Sequence, residues 1–259
     1  MPYPKNSINT GLALQVIASD SLPIPSPAAY TLLGTASPLI SGTVTSLGTD
    51  QLLDNSGVNF QSTISPLPVL VDDKAFNTTA DPDTVATITG TGPAGLGLNA
   101  DIFTVGLPNY TIIRSLTLCD DDGVFVDGFK KAGGVSVGDI VYNTTALTSA
   151  SITSIRDNKL MTLSADIFGT PALANDSYRI FANPNGQLGV TSQSSTEACL
   201  LYVGSNSTGT VVDVRVKTSA GNDVTFTNVK VGSVLPVQVL QLYSTGTTVE
   251  SRNNCIAIW

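Results

Sequence analysis

The residues whose types could do chemistry are chiefly acids. Asp120-Asp121-Asp122 follow Cys119 directly and precede Gly123, with Asp127 close by. Carboxylates grouped in this way are ligands of the kind a calcium ion takes. The spacing is not that of an EF-hand loop, however, and three adjacent acids commonly form a solvated turn. Asp72-Asp73 and Asp81-Pro82-Asp83 are sparser versions of the same feature. Paired carboxylates also serve glycoside hydrolysis, but that requires two acids facing one sugar at a set separation, and nothing in this order of acids sets up such a pair. Gly95-Leu96-Gly97 and Gly133-Gly134 lack a phosphate-loop context and read as turns. Asn77, Asn109, Asn143, Asn175 and Asn206 each begin an Asn-x-Ser/Thr sequon, a pattern that arises readily in a chain rich in Thr and Asn.

Other chemistries are short of residues. Histidine is absent, which removes the commonest general base and the commonest zinc ligand together. Cys119, Cys199 and Cys255 are odd in number and widely spaced, which argues against a disulfide framework or a cysteine-rich metal site and for buried single thiols. No residue is therefore assigned a catalytic, cofactor-binding or metal-binding role, no cofactor is expected, and the chain is not expected to be an enzyme.

Charged residues make up only 12% of the chain, about half the usual share, while hydrophobic residues make up 42%. Surface polarity then comes from Thr, Ser, Asn and Gly, as in extracellular, fibrous and virion proteins. The net charge is −8 and basic residues are scattered apart from Lys130-Lys131, so no basic face exists to displace counterions from nucleic acid. The same balance disfavours an anionic membrane. The apolar stretch Leu12 to Ala18 is too short to span a bilayer and lacks the basic flank of a signal peptide.

The elements that carry these residues read as strand and turn throughout. Residues 1–40 hold Pro2, Pro4, Pro23, Pro25, Pro27 and Pro38, and the run Leu22 to Pro27 cannot be helix interior. They are expected to form an extended, ordered, polyproline-like arm that lies along a neighbouring surface. An internal repeat follows. Asn77-Thr78-Thr79-Ala80 recurs as Asn143-Thr144-Thr145-Ala146, 66 positions later, and Ala100-Asp101-Ile102-Phe103 recurs as Ala165-Asp166-Ile167-Phe168, 65 positions later. Tyr110-Thr111-Ile112 matches Tyr178-Arg179-Ile180, and Val58-Asn59-Phe60 aligns loosely with Gly123-Val124-Phe125. This predicts two related β modules, 41–113 and 114–185. Strands are expected at Val85 to Thr89, at Ala150 to Ile155 and from Leu160, with a turn spanning Gly90 to Gly97 and a short helical turn near Ala165 to Phe168.

The remaining segment, 186–259, patterns as a β-sandwich or barrel-like domain. Cys199 to Gly204 reads as a buried strand, and Val212, Val214 and Val216 fall on one face of the next. Ala220-Gly221-Asn222-Asp223 makes a hairpin turn. Leu235 to Tyr243 reads as one long alternating strand, and Cys255 to Trp259 as a paired final one.

Five ordered motifs in this segment carry a resemblance. Leu201-Tyr202-Val203-Gly204, Asp223 to Val229, Gly232 to Val239 with Leu235-Pro236-Val237, Thr245-Gly246-Thr247-Thr248 and Ile256-Ala257-Ile258-Trp259 together resemble the small β domain called the spike base protein in tailed phages and gene transfer agents. The likeness covers about the last 65–70 residues and departs from the family in the insertion Glu250 to Asn254. The duplicated module, with Gly138-Asp139-Ile140-Val141-Tyr142-Asn143 before the second Ala-Asp-Ile-Phe motif, is similar to repeats in structural proteins of marine phages and cyanophages. The first copy has Val71-Asp72-Asp73-Lys74 in place of the Gly-Asp turn, and its role is expected to have drifted.

The resemblance implies an all-β, non-catalytic virion protein on the phage head surface, a capsid cement (decoration) protein or the base of a vertex spike. Its expected partners are the major capsid protein and copies of itself as a trimer or pentamer, with a spike or fibre protein as a further one, and neither nucleic acid nor membrane. The expected location is the virion, assembled in the bacterial host cytoplasm. A tail or baseplate component and a glycan-binding adhesin are the alternatives, the latter weakened by an aromatic content of 6%.

Overall fold

The computed structural model describes residues 12–25, 30–62, 68–80, 83–123, 125, 135–181, 198–204, 209–248 and 254–259. Asp81, Pro82, Asp127, Lys130-Lys131, Gly133-Gly134, Asn206 and residues 250–253 lie outside them. The protein is all-β, with nineteen strands in four antiparallel sheets among the described residues.

In chain order these are β1 (Ala13–Gln15), β2 (Tyr30–Thr35), β3 (Ile40–Thr43), β4 (Ser46–Gly48), β5 (Gln51–Leu53), β6 (Lys74–Asn77), β7 (Thr84–Thr91), β8 (Gly95–Leu98), β9 (Asn109–Ile113) and β10 (Thr117–Cys119). They continue with β11 (Ile140–Asn143), β12 (Thr148–Ile155), β13 (Leu160–Leu163), β14 (Ser177–Phe181), β15 (Leu200–Val203), β16 (Val211–Thr218), β17 (Asp223–Lys230), β18 (Val239–Leu242) and β19 (Cys255–Ile258). The described residues fall into two compact units. One comprises those of Met1–Leu33, Phe129–Ile152 and Arg179–Trp259, the other those of Gly34–Gly128 and Thr153–Tyr178.

The repeat seen in the sequence is a repeat of topology. One sheet has the order β3-β9-β6-β7-β8-β5-β4 and another β2-β14-β11-β12-β13-β10, so each strand of the second has its counterpart in the first, β4 alone being extra. The repeated motifs set matching turns. Asn77 Oδ1 accepts hydrogen bonds from the Thr79 and Ala80 amides at 3.0 and 3.3 Å, and Asn143 Oδ1 accepts from Thr145 and Ala146 at 3.0 and 2.8 Å. Such Asx turns explain why Asn-Thr-Thr-Ala recurs: it closes the strand. Ahead of the same strands, Asp73 Oδ2 accepts from the Leu70 amide and Asp139 Oδ2 from the Ser136 amide, each at 2.9 Å. The first copy keeps the turn despite lacking glycine, because Asp72 adopts φ +77° where Gly138 has +93°. The backbone of this turn is therefore the same in the two copies.

The C-terminal sandwich sets the sheet β1-β19-β15 against β17-β16-β18. Val212, Val214 and Val216 of β16 join Leu201, Val203, Val239 and Cys255 in one buried core, following the period-two pattern. The hairpin turn between β16 and β17 sits where its residues predict, with Gly221 at φ +83°. The arm is extended over residues 12–25. It pairs with this chain's own last strand, Ala13 opposite Ile258 and Gln15 opposite Ile256. Beyond β1 it bonds onward through Val16 to Cys255, Ser19 to Leu242 and Ile24 to Leu240. Asp20 fastens it, accepting from Ser244 Oγ at 2.6 Å, the Thr245 amide at 2.9 Å and Thr245 Oγ1 at 2.8 Å. Those bonds hold the Asp20 carboxyl down at about 2.

Three expectations are corrected. Leu235 to Tyr243 is not one strand: Val234 makes an isolated bridge to Tyr202, the chain bends after Pro236, which has no amide to donate, and only Val239–Leu242 is regular. The Gly90 to Gly97 turn shrinks to its middle, because β7 runs on to Thr91 and Gly95–Leu98 is itself a strand, with Gly92 donating to Gly95 at 2.8 Å. The helical turn falls at 170–176, later than expected, closed by the Ala174 amide on the Thr170 carbonyl at 2.9 Å.

Candidate functional site

Of the acids singled out by type, Asp73 and Asp120 are taken up by the fold. Asp120 is buried. Its Oδ2 accepts from the Tyr178 hydroxyl at 2.5 Å, its Oδ1 from the Asp122 amide at 2.9 Å, and its own amide donates to Lys159 at 2.9 Å. A carboxylate so occupied is a turn anchor, which separates it from the exposed Asp121 and Asp122 that follow it. Asp73 is buried as well and takes both arms of a guanidinium, Arg114 Nε and Nη2 each at 2.8 Å, while Arg114 Nη2 also donates to the Pro68 carbonyl at 2.9 Å. This two-pronged geometry matches the guanidinium to the carboxylate and fixes the loop before β6 to the end of β9.

The residue-type reading missed the partner of Asp120 in the other module. Tyr110 donates to Asp54 Oδ2 at 2.7 Å, as Tyr178 does to Asp120. The signal is present in the sequence, because Asp54-Asn55-Ser56-Gly57-Val58 precedes Phe60 as Asp120-Asp121-Asp122-Gly123-Val124 precedes Phe125. Phe60 meets Tyr110 edge-on at 6.1 Å, and Phe125 and Phe168 meet Tyr178 at 6.3 and 6.4 Å. Over each tyrosine hydroxyl lies a glycine, Gly42 in one module and Gly34 in the other, where a Cβ would overlap the phenol. Burial and the Asp54 charge push the Tyr110 phenol far above its usual range. Burial opposes the charge on Asp54, but bonds from Ser56 and Tyr110 outweigh it and leave that carboxyl below its usual range. Near neutral pH the pair therefore stays a neutral phenol on a carboxylate, an arrangement suited to holding a core and not to moving protons.

Cys119, Cys199 and Cys255 are buried free thiols, which burial raises to about 11, 12 and 12. Thiolate, the reactive form, is thus suppressed in all three. Of the sequon asparagines, Asn143 is fully buried and Asn77 is nearly so, with Nδ2 donating to the Ile102 carbonyl at 2.8 Å. That bond joins the two repeated motifs to each other. Asn109 is exposed and accepts from Thr43 Oγ1 at 2.8 Å.

Two concavities stand out among the described residues. A groove of about 380 Å³ in the first module is bounded by Thr79, Ala80, Thr84, Ile102, Val105 and Pro108. A smaller one of about 150 Å³ lies among Leu14, Gln15, Ile17, Tyr142, Leu147 and Arg179. Among the described residues the groove is lined by hydroxyls and methyls, with Asp101 its one charge. Its described lining brings no nucleophile and base together. Comparisons with protein-family models, with curated proteins and with solved structures found no match.

Proposed function

We propose that this chain is a structural protein of a phage particle, a capsid cement protein or the base of a vertex spike, and that it works through surfaces and not through catalysis. The observation that carries the reading is the set of five spike-base-like motifs and where they fall. Leu201 to Gly204 lies on and just after β15, Asp223 to Val229 on β17, Gly232 to Val239 on the irregular stretch that leads into β18, Thr245 to Thr248 in the turn that receives Asp20, and Ile256 to Trp259 on and just after β19. Four of the five motifs fall on strands or on the turn that anchors Asp20, which supports reading them as parts of one domain. The low charge and the use of Asp54, Asp73 and Asp120 to fasten loops favour the same reading.

The partners in this proposal are the major capsid protein, copies of this chain in a trimer or pentamer, and a spike or fibre protein above it, on a virion assembled in the host cytoplasm. Residues 12–25 are committed to this chain's own sandwich, so clamping of neighbouring capsomers falls to the modules. Contacts of about 1,000–2,000 Å² make such an assembly stable without chemistry. Immunogold labelling of intact particles tests it. Gold over the head supports cement, and gold at the vertices supports a spike base. Gold on the tail alone moves the chain to the tail or baseplate, and unlabelled particles with an accessible epitope overturn the proposal.

A further inference from the structure

In the sandwich, the sheet β17-β16-β18 ends on a strand with an unused side. β16 turns alternate backbone groups toward β18: the Arg215 carbonyl accepts from the Tyr243 amide at 2.9 Å, and the Asp213 carbonyl from the Thr248 amide at 3.0 Å. Bonding direction alternates along a strand, so Val214 and Val216 face β17, where their partners are Phe226 and Val224. The same alternation turns the N–H and C=O groups of Asp223 and Thr225 away from β16, and among the described residues no hydrogen bond meets them there. Asn228, at φ +55° with its amide on Asp213 Oδ1 at 2.9 Å, ends this open edge, which runs from Asp223 to Thr227. β17 is eight residues long, against three or four for β1, β3, β4 and β10 at the edges of other sheets. Edge strands are commonly guarded by proline, lysine or an inward charge, and Val224 to Val229 hold none of these.

We propose that the edge from Asp223 to Thr227 takes an extended segment of a different protein of the particle, which joins the sheet as a further strand. Free backbone donors and acceptors in a row are the complement of another strand's backbone. The side chains set what that strand carries. Val224 and Phe226 are half-buried, with Phe226 against the sandwich core, while Thr225 and Thr227 are exposed on the other face. Residues opposite each other in paired strands share a face, so the segment alternates apolar residues beside Val224 and Phe226 with uncharged polar ones beside Thr225. The occupant is not β17 of a second copy. That contact is isologous and closes at two chains, whereas a trimer or pentamer needs a contact between unlike surfaces. Nor do β1, β3, β4 and β10 of another copy have the length to fill it.

This rests on the proposed function and deepens it by naming the surface through which a partner is held. Site-resolved hydrogen exchange tests it, because the Thr225 amide reports on the outer edge and the Phe226 amide on the bond to β16. In the isolated full chain the Thr225 amide is expected to exchange at least about tenfold faster than that of Phe226, and in purified particles to slow by at least about tenfold. Thr225→Pro removes the outward donor and spares the bonds to β16, as proline does on an edge strand. It is expected to keep the native far-UV spectrum and to load onto particles at under about a tenth of the native level, while Thr225→Val, which keeps the amide, loads fully. Particles that hold the native chain with a Thr225 amide as fast as in solution overturn the edge proposal and leave the particle reading standing. Particles without the chain overturn both. Protection of Thr225 in the isolated chain that is lost on dilution gives the edge to a second copy and overturns the proposal, as does a folded Thr225→Pro chain that loads fully.

Discussion

Inside the first module Tyr110 reaches Asp54 beneath Gly42, and inside the second Tyr178 reaches Asp120 beneath Gly34. On their outer faces the two modules differ. Phe76 and Ile113 lie under Ala174 in one, whereas their counterparts Tyr142 and Phe181 pack with Leu14, Ile17 and Trp259 in the other. The difference has a physical reason. A buried phenol and carboxylate must satisfy each other or leave a desolvated polar atom unpaired, so the interior tolerates little change. An outer face needs only apolar area of about the right size, and it can follow whatever packs on it.

The largest effects are expected at the aromatic contacts around each tyrosine. Phe60→Ala and Phe125→Ala are each expected to lose about 3–5 kcal/mol in urea unfolding, and by similar amounts if the two interiors are equivalent. A variant that loses under about 1 kcal/mol would show that its module is held by something other than this core.

Next comes the ion pair fixing the first module's loop. Arg114→Leu leaves the buried Asp73 carboxylate without its guanidinium and is expected to cost about 3 kcal/mol, which thermal or denaturant unfolding measures. An unchanged midpoint would mean that this pair is balanced by its desolvation.

Tyr110→Phe and Tyr178→Phe are expected to cost about 1–3 kcal/mol each, since a buried carboxylate oxygen loses its donor. The Tyr110 variant carries a pH signature too. Asp54 titrates below its usual value in the fold, so its contribution is complete above about 4 and is lost as pH falls through the lower folded value. Tyr110 titrates above its usual value, so its contribution is complete below about 10 and is lost as pH rises further. Stability curves of Tyr110→Phe should therefore be flatter than the native ones at both extremes. Parallel curves would contradict the pairing.

The smallest effect sharpens the comparison instead of breaking it. Asp72→Gly gives the first copy the residue of the second at a φ of +77° and is expected to stabilise the fold by about 0.5–1 kcal/mol. A destabilised variant would assign the Asp72 side chain a role of its own.

Much of this was legible in the sequence, and the misses follow a rule. Alternation fixed Val212, Val214 and Val216 to one face, and Asn-Thr-Thr-Ala and Ala-Asp-Ile-Phe marked the duplication because turn residues act locally. What local pattern does not carry is pairing across distance. Asp54 and Tyr110 lie far apart in the chain, and nothing in the run Asp120-Asp121-Asp122 tells the buried acid from its exposed neighbours. Likewise β2, which the flanking prolines mark as arm, lies beside β14 at the edge of the second module's sheet. Leu235 to Tyr243 alternates well enough for a strand, but Pro236 removes a donor that the ladder needs.

The central claim, that the chain is a particle component acting through its surfaces, is tested most directly by quantitative mass spectrometry of density-purified particles. The account predicts the intact chain in fixed stoichiometry to the major capsid protein, retained through repeated purification. Its absence from such particles, with the chain abundant in the lysate that produced them, would contradict the account.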